Sequence, residues 1–145
     1  YGLGIATLGL FLALVFRSRG GQVTSLALIF LCALSAWPVI HYRHAAYDSV
    51  LTLSDDDGRA WLEEHEARAE KVEWFFYALA AGAATAIILP RKWSKAGLPL
   101  AVAVLLLALV SLGAGGWIAY AGGKIRHREF RTTPPPVKKD DRENR

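Results

Sequence analysis

The stretch Leu-Pro-Leu-Ala-Val-Ala-Val-Leu-Leu-Leu-Ala-Leu-Val-Ser-Leu-Gly-Ala-Gly-Gly-Trp-Ile-Ala-Tyr-Ala-Gly-Gly, residues 98–123, contains no charged side chain. A helix that crosses the hydrocarbon core of a bilayer needs about 20 mostly apolar residues, each adding about 1.5 Å. Three more uncharged runs cover residues 1–16, 20–40 and 74–90. The pattern predicts an all-α fold, an integral membrane four-helix bundle. The predicted spans lie at about 1–16, 21–43, 72–90 and 98–123.

The two ends of the chain differ from these spans. The first run opens within an apolar stretch and has no Met before it, so we expect further residues to precede it; a signal peptide is a poor alternative, because the run shows neither a charged n-region nor a small-residue cleavage site. Residues 1–131 are therefore taken as the four-span domain. Residues 132–145 form a Pro-rich, then charged tail, which is expected to be a mobile end or a strap on a partner subunit or on anionic lipid.

The connection between the second and third spans has a helical pattern. Ser54-Asp55-Asp56-Asp57 supplies an N-cap oxygen and acids for a first helical turn. Apolar residues then recur at helical spacing on one face, and no Pro or Gly interrupts residues 59–81. We predict one continuous helix from about residue 58 to 89. Its first part, residues 58–71, would extend the third helix beyond the membrane.

Four spans place the two short loops, residues 17–22 and 91–97, on one side of the membrane (side A). The central connection and the C-terminus lie on the other (side B). The side-A loops carry five basic residues and no acid, which favours side A as the cytoplasmic face. The expected location is the bacterial inner membrane, with multiple passes. A nucleic-acid partner is not expected of a chain that crosses the membrane several times.

Side B gathers most of the aromatic residues and all the histidines. His41 and His44 close the second span, His65 precedes the third and His127 follows the fourth. If the second helix continued past Ile40, Trp37, His41, His44 and Asp48 would share a face. Such a set could ligate haem b or another tetrapyrrole, hold a divalent metal, or handle protons. The alternative is that these amphipathic side chains simply lie at the membrane interface.

Small residues mark helix faces where backbones can approach closely, which is how helices associate in lipid. Together with two tryptophans, the predicted packing or partner-facing positions are Gly9, Ala13, Ala78, Gly82, Ala86, Gly113, Gly116, Trp61 and Trp117. Pro38 is expected to bend the second span before His41. The serines of the spans have no His or acid on a neighbouring turn, and the single cysteine, Cys32, cannot form an internal disulfide. An enzyme is therefore not expected.

The segment Gly122-Gly123-Lys124-Ile125-Arg126-His127-Arg128-Glu129 resembles the closing segment of an uncharacterised family of small four-helix bacterial membrane proteins, a domain of unknown function. His65-Glu66, just ahead of the third span, fits the same pattern, and the likeness covers the last three spans. Members of that family accompany electron-transport proteins. The resemblance implies a non-catalytic accessory subunit of a respiratory or photosynthetic electron-transfer complex, with membrane lipids and other membrane subunits as partners. The alternative is a small b-type cytochrome or pigment-binding protein that uses the side-B histidines.

Overall fold

The computed structural model describes residues 1–136, without the side chains of Arg43, His44, Ala45, Ala46, Asp48 and Arg126. This part of the chain is helical and contains no strand. Its α-helices are α1 (Gly2–Val15), α2 (Arg19–Leu34), α3 (Ala36–His41), α4 (Arg43–Thr52), α5 (Asp56–Ile88) and α6 (Gly97–Arg126). Short 3-10 turns lie at Leu89–Arg91, Ser94–Ala96 and Arg128–Phe130. The described chain forms two compact units, and α5 and α6 contribute to both.

The predicted second span is not one regular helix. Helix α2 ends at Leu34, the residue whose carbonyl would clash with the ring of Pro38 four positions later. A second break falls at Tyr42, between α3 and α4. The condition for Trp37, His41, His44 and Asp48 to share one face, a single helix running through all four positions, is therefore not met. By contrast, α5 is one unbroken helix of 33 residues, where the sequence predicts a helix from about 58 to 89.

Helices α1 and α2 form an antiparallel hairpin within unit 1, which comprises residues 1–40 and 72–114. Helix α1 ends in a Schellman motif, since Ser18 N donates to Ala13 O at 2.9 Å and Arg17 N to Leu14 O at 3.1 Å. Arg17 takes the left-handed conformation (φ 52°) that glycine usually occupies there. Ser18 then caps α2 by accepting a hydrogen bond from Gly21 N at 3.2 Å.

The core of unit 1 is built largely from alanine. Small side chains allow the helices to approach closely, and a Cβ placed on Gly9 would lie 2.9 Å from Ser25 Oγ. Two buried hydroxyls, on Thr7 and Ser111, donate to carbonyls one turn back in their own helices. The buried core residues are Ala6, Leu10, Leu26, Ile29, Ala33, Leu79, Ala80, Ala83, Ala86, Ala101, Val104 and Ala108.

The outward faces of the same helices are strongly apolar. On α1, for example, Ile5 is 71% exposed and Phe11 is 50% exposed, whereas Ala6 and Ala13 are buried. A protein in water buries its large apolar side chains, whereas helices in lipid can expose them and keep small residues for contact. Arg19–His41, Asp56–Arg91 and Ser94–Ile125 are long and apolar enough to cross a membrane, and the apolar helix Gly2–Val15 is shorter. The chain has the character of a multi-pass helical membrane protein.

Unit 2 comprises residues 41–71 and 115–145, of which the structure describes those up to 136. Its apolar centre joins α5 to the end of α6 through the buried residues Trp61, Leu62, Ala121 and Ile125. Helix α4 adds Tyr47, Val50 and Leu51 at the edge of this cluster. Around it lies the densest set of polar contacts in the described chain, which is the candidate site.

Candidate functional site: the polar cluster of unit 2

Asp55 begins the polar cluster by capping α5. Its Oδ1 accepts a hydrogen bond from Gly58 N at 2.9 Å, the N-cap arrangement in which a carboxylate satisfies an unpaired amide of the first turn. Asp55 is therefore the cap within the predicted Ser54–Asp57 signal. Ser54 instead donates to Val50 O at 2.7 Å and closes the end of α4.

Arg131 links Asp55, the N-cap of α5, to the end of α6. Its guanidinium holds the Asp55 carboxylate with two bonds, Nη2 to Oδ1 at 2.7 Å and Nη1 to Oδ2 at 2.9 Å. The same guanidinium donates to Lys124 O and Ile125 O, both at 2.8 Å, in the last turn of α6. One ion pair thus places a negative charge at the start of α5 and a positive charge at the end of α6, where each helix dipole favours it.

The electrostatics of the pair follow from this geometry. The Arg131 guanidinium, with the Gly58 amide, holds the pKa of Asp55 well below its usual range. Conversely, the hydrogen bond to Asp55 raises the pKa of Arg131. Arg128 adds a more exposed contact, with Nη2 3.0 Å from Asp55 Oδ2. The Arg131 side chain is only 11% exposed, so the pair is partly shielded from water and from salt.

Gly58 makes the close approach possible. A Cβ at this position would lie 2.5 Å from Ile125 O and 2.7 Å from Asp55 Oδ1. Any side chain there would push α6 away from the first turn of α5, or displace the carboxylate. The glycine that follows the Asp run is therefore required by the contact between the two helices.

Lys124, whose carbonyl accepts a hydrogen bond from Arg131, is 1% exposed. Its ammonium group stands 4.3 Å from the ring centroid of Trp61 and 4.2 Å from that of Tyr120, which is cation–π distance for both. The ammonium also donates to Thr133 Oγ1 at 2.7 Å. The first part of the predicted tail strap therefore folds onto its own chain, and the charged end at 137–145 lies outside the described residues.

Further along α5, two side chains reach backbone carbonyls of α6. His65 Nδ1 lies 3.0 Å from Ile118 O and must donate, because a carbonyl only accepts. Its ring packs on Gly122, where a Cβ would lie 3.0 Å from Nδ1. Arg68 donates to Trp117 O at 2.9 Å, and its guanidinium carbon lies 4.6 Å from the centroid of the Trp117 ring.

His41, His65 and His127, the three histidines whose side chains the structure describes, do not form a group that could hold a metal ion. His41 is exposed, with its ring edge-on to Tyr42 at 5.1 Å between centroids. His127 is exposed, and its Nδ1 lies 2.9 Å from Glu129 Oε1. The side chain of His44 lies outside the described residues. Among the side chains described, no three His, Cys, Asp or Glu residues come together in a way that could hold a metal ion.

The predicted packing residues divide into two groups. Ala13 and Ala86 are buried, Gly9 lies against Ser25, and Gly82 would place a Cβ 3.5 Å from Val104. Trp61 is buried in unit 2, and the ring of Trp117 contacts the guanidinium of Arg68. Three others are exposed on the described chain: Ala78, Gly113 and Gly116.

The cluster is suited to holding helices and the chain end together. Its cations are bound by carboxylates, carbonyls and rings, and its histidine Nδ1 atoms are engaged as donors. Trp61, Trp117 and the histidines were predicted as packing or cofactor residues and Asp55 lies within the predicted cap signal, whereas Lys124 and Arg131 were not predicted to contribute. The available signals were the lysine that directly follows the Gly122-Gly123 pair and the arginine that precedes Thr132 and the prolines.

Comparison of the chain with protein-family models, curated proteins and solved structures found no match.

Proposed function

We propose that this chain is a non-catalytic accessory subunit of a larger membrane assembly, in which it packs against and stabilises neighbouring subunits. The observation that carries the proposal is the exposure of Gly113 and Gly116 on α6. A Cβ placed on either residue would meet no atom within 4 Å. Glycine within a helix costs about 1 kcal/mol relative to alanine, and in lipid its use is to let another helix approach.

The proposed host is a respiratory or photosynthetic electron-transfer complex in the bacterial inner membrane. The support is the resemblance of residues 122–129 to a family whose members accompany electron-transport proteins. The polar cluster of unit 2 suits such a role, because its ion pairs fix the end of α6 and the start of the tail. The fixed segment would then be a preformed surface for a neighbouring subunit.

The proposal includes four membrane spans, with α1 as the first and residues 58–71 of α5 outside the membrane on side B. The apolar outer face of α1 supports its placement in lipid, and the charged residues of the first turns of α5 support their placement in water. Single cysteines in a Cys32→Ala background test it. Labels at Ser18 and Ser94 should react from one side of the membrane, and labels at Tyr1, Asp57 and Thr132 from the other. Labelling of Ser18 and Asp57 from the same side would contradict four spans.

The subunit proposal is tested by native electrophoresis of membranes that contain the tagged chain. The chain should migrate with a complex whose redox activity is measured in the same band. Gly113→Leu/Gly116→Leu should release the chain from that band, while Gly113→Ala/Gly116→Ala should stay in it. Val110→Leu, which enlarges another exposed side chain of α6, is a further control. Retention of the double leucine variant would contradict the proposed packing face.

A small b-type cytochrome is the second candidate, and one observation favours it. In both His65 and His127 the Nδ1–H is donated, and in a neutral ring Nε2 is then the nitrogen with the free lone pair that a haem iron would bind. A purified chain with a reducible Soret band, lost in His65→Ala or His127→Ala, would establish this function. A colourless chain that migrates with a redox complex would instead favour the accessory subunit.

A further inference from the structure

A cleft of about 630 Å³ lies within unit 1, at the ends of its apolar helices. Its walls combine two arginines and polar groups with apolar side chains. The lining residues are Leu14, Arg17, Arg19, Gln22, Pro90, Ser94 and Leu98. Arg19 is the first residue of α2 and Leu98 the second residue of α6, so the cleft lies at the ends of two helices that are long and apolar enough to cross a membrane.

Unit 1 does not balance the charge in this cleft. Residues 1–47 and 74–128 contain no Asp or Glu. The nearest acid along α5, Glu73, lies 15 residues before Ile88, or about 22 Å along the helix. Arg17 and Arg19 line the cleft, and the loop that contributes Pro90 and Ser94 also carries Arg91, Lys92 and Lys95. Unit 1 offers no carboxylate at this end.

The position of Arg19 strengthens the case for an anion. A Cβ on Gly97, the first residue of α6, would lie 2.5 Å from Arg19 Nη1, so the guanidinium lies against the start of that helix. The first amides of a helix carry partial positive charge and lack intrahelical acceptors. A cation there is unfavourable on its own. The Gly97 amide already donates to Ser94 O and Pro99 has no amide hydrogen, so an anion here would pair mainly with the guanidinium.

We propose that this cleft binds the phosphate of an anionic phospholipid headgroup. Arg17 and Arg19 would hold the phosphate oxygens through charge-assisted hydrogen bonds, for which the guanidinium fork is well matched. Leu14, Pro90 and Leu98 would contact the glycerol and the first carbons of the acyl chains. The volume lies in the range of small-ligand pockets, so it suits a headgroup whose chains remain in the bilayer.

The test is native mass spectrometry of the full chain in detergent, titrated with phosphatidylglycerol or with phosphatidylcholine of the same acyl chains. The wild-type chain should bind one phosphatidylglycerol at least about tenfold more tightly than phosphatidylcholine. Arg17→Gln/Arg19→Gln should lose this preference. Lys92→Gln/Lys95→Gln removes the same charge from the same side without altering the lining, and should keep it. Equal losses in the two double variants would overturn the proposal, because binding would then follow overall charge.

Two further measurements test the role of Arg17 and the identity of the bound anion. Arg17→Gly removes one guanidinium at a position whose left-handed backbone favours glycine, so it should fold at least as well as the wild type and still lose affinity. Unchanged affinity in this folded variant would exclude Arg17 from the site. Inorganic phosphate is the second probe: binding of phosphate alone, with the same dependence on Arg17 and Arg19, would overturn the lipid assignment in favour of a soluble phosphate.

Discussion

In unit 1 seven of the twelve residues of the buried core cluster are alanines, and the buried hydroxyls of Thr7 and Ser111 bond to carbonyls of their own helices. In unit 2 the side chains of Lys124 and Arg131 are nearly buried and bind groups on other elements. Lipid provides no hydrophobic drive between helices, so unit 1 depends on close contact of small residues. Unit 2 instead depends on ion pairs, capped helix ends and cation–π contacts, which are directional.

The two modes should fail in different ways. A contact made by small residues is broken by added volume and is indifferent to pH. A contact made by an ion pair is broken by loss of charge as well as by added volume. Paired variants in the two units can therefore separate steric from electrostatic stabilisation within one chain.

Gly9→Leu should have the largest effect. A Cβ at this position would already lie 2.9 Å from Ser25 Oγ, and the rest of the side chain would force α1 from α2. We expect a loss of about 3 kcal/mol or more in the free energy of unfolding, the upper range for overpacking. Thermal unfolding in detergent measures it. Gly4→Leu is the matched control on the same helix, since a Cβ there meets nothing within 4 Å. Equal losses in the two variants would refute close packing of the hairpin.

Gly58→Ala should destabilise unit 2 by about 2 kcal/mol, because its Cβ would lie 2.5 Å from Ile125 O and crowd the Asp55 carboxylate. The same change at Gly116 meets no neighbour and should be neutral or stabilise α6 by up to about 1 kcal/mol. Tryptophan fluorescence during unfolding reports the effect, since Trp61 lies in the core of unit 2. A stabilising Gly58→Ala would show that the two helices do not meet as described.

The Asp55–Arg131 pair predicts that the stability of unit 2 depends on pH, which is not expected of the contacts between small residues in unit 1. The pKa of Asp55 is lowered in the folded chain, so the pair contributes stability above the ordinary carboxyl value near 3.8. That contribution is lost progressively as the pH falls below this value toward the folded pKa. Asp55→Asn should therefore lower stability at neutral pH and flatten the acid side of the stability profile. Asp56→Asn, at a side chain that is 91% exposed, should leave the profile unchanged.

The contrast between the units also explains which parts could be predicted from the sequence. Runs of uncharged residues and helical spacing are local signals, and they led to the long α5 and to close packing at Gly9. The ion pair was missed because Asp55 and Arg131 are 76 positions apart, and neither has an unusual local pattern. The breaks around Pro38 were predicted only as a bend, since sequence spacing does not show whether a helix resumes on the same face.

Arg17→Gly should have the smallest effect, and it should stabilise the chain. Arg17 has φ 52° at the end of α1, a conformation that costs a residue with a Cβ roughly 1–2 kcal/mol. Glycine removes that cost but gains freedom in the unfolded chain, so we expect a net gain of about 0.5–1 kcal/mol. Thermal unfolding at matched detergent concentration measures the gain.

Arg17→Ala separates the two possible sources of that gain. Alanine removes the guanidinium from its position beside Arg19 but keeps the backbone cost, so it should not stabilise the hairpin. If alanine stabilised the chain as much as glycine, the gain would come from relief of charge repulsion and not from the backbone. If Arg17→Gly both stabilised the chain and lost phosphatidylglycerol binding, Arg17 would bind the lipid at a cost in folding stability. The same position would then favour glycine for folding and arginine for the lipid.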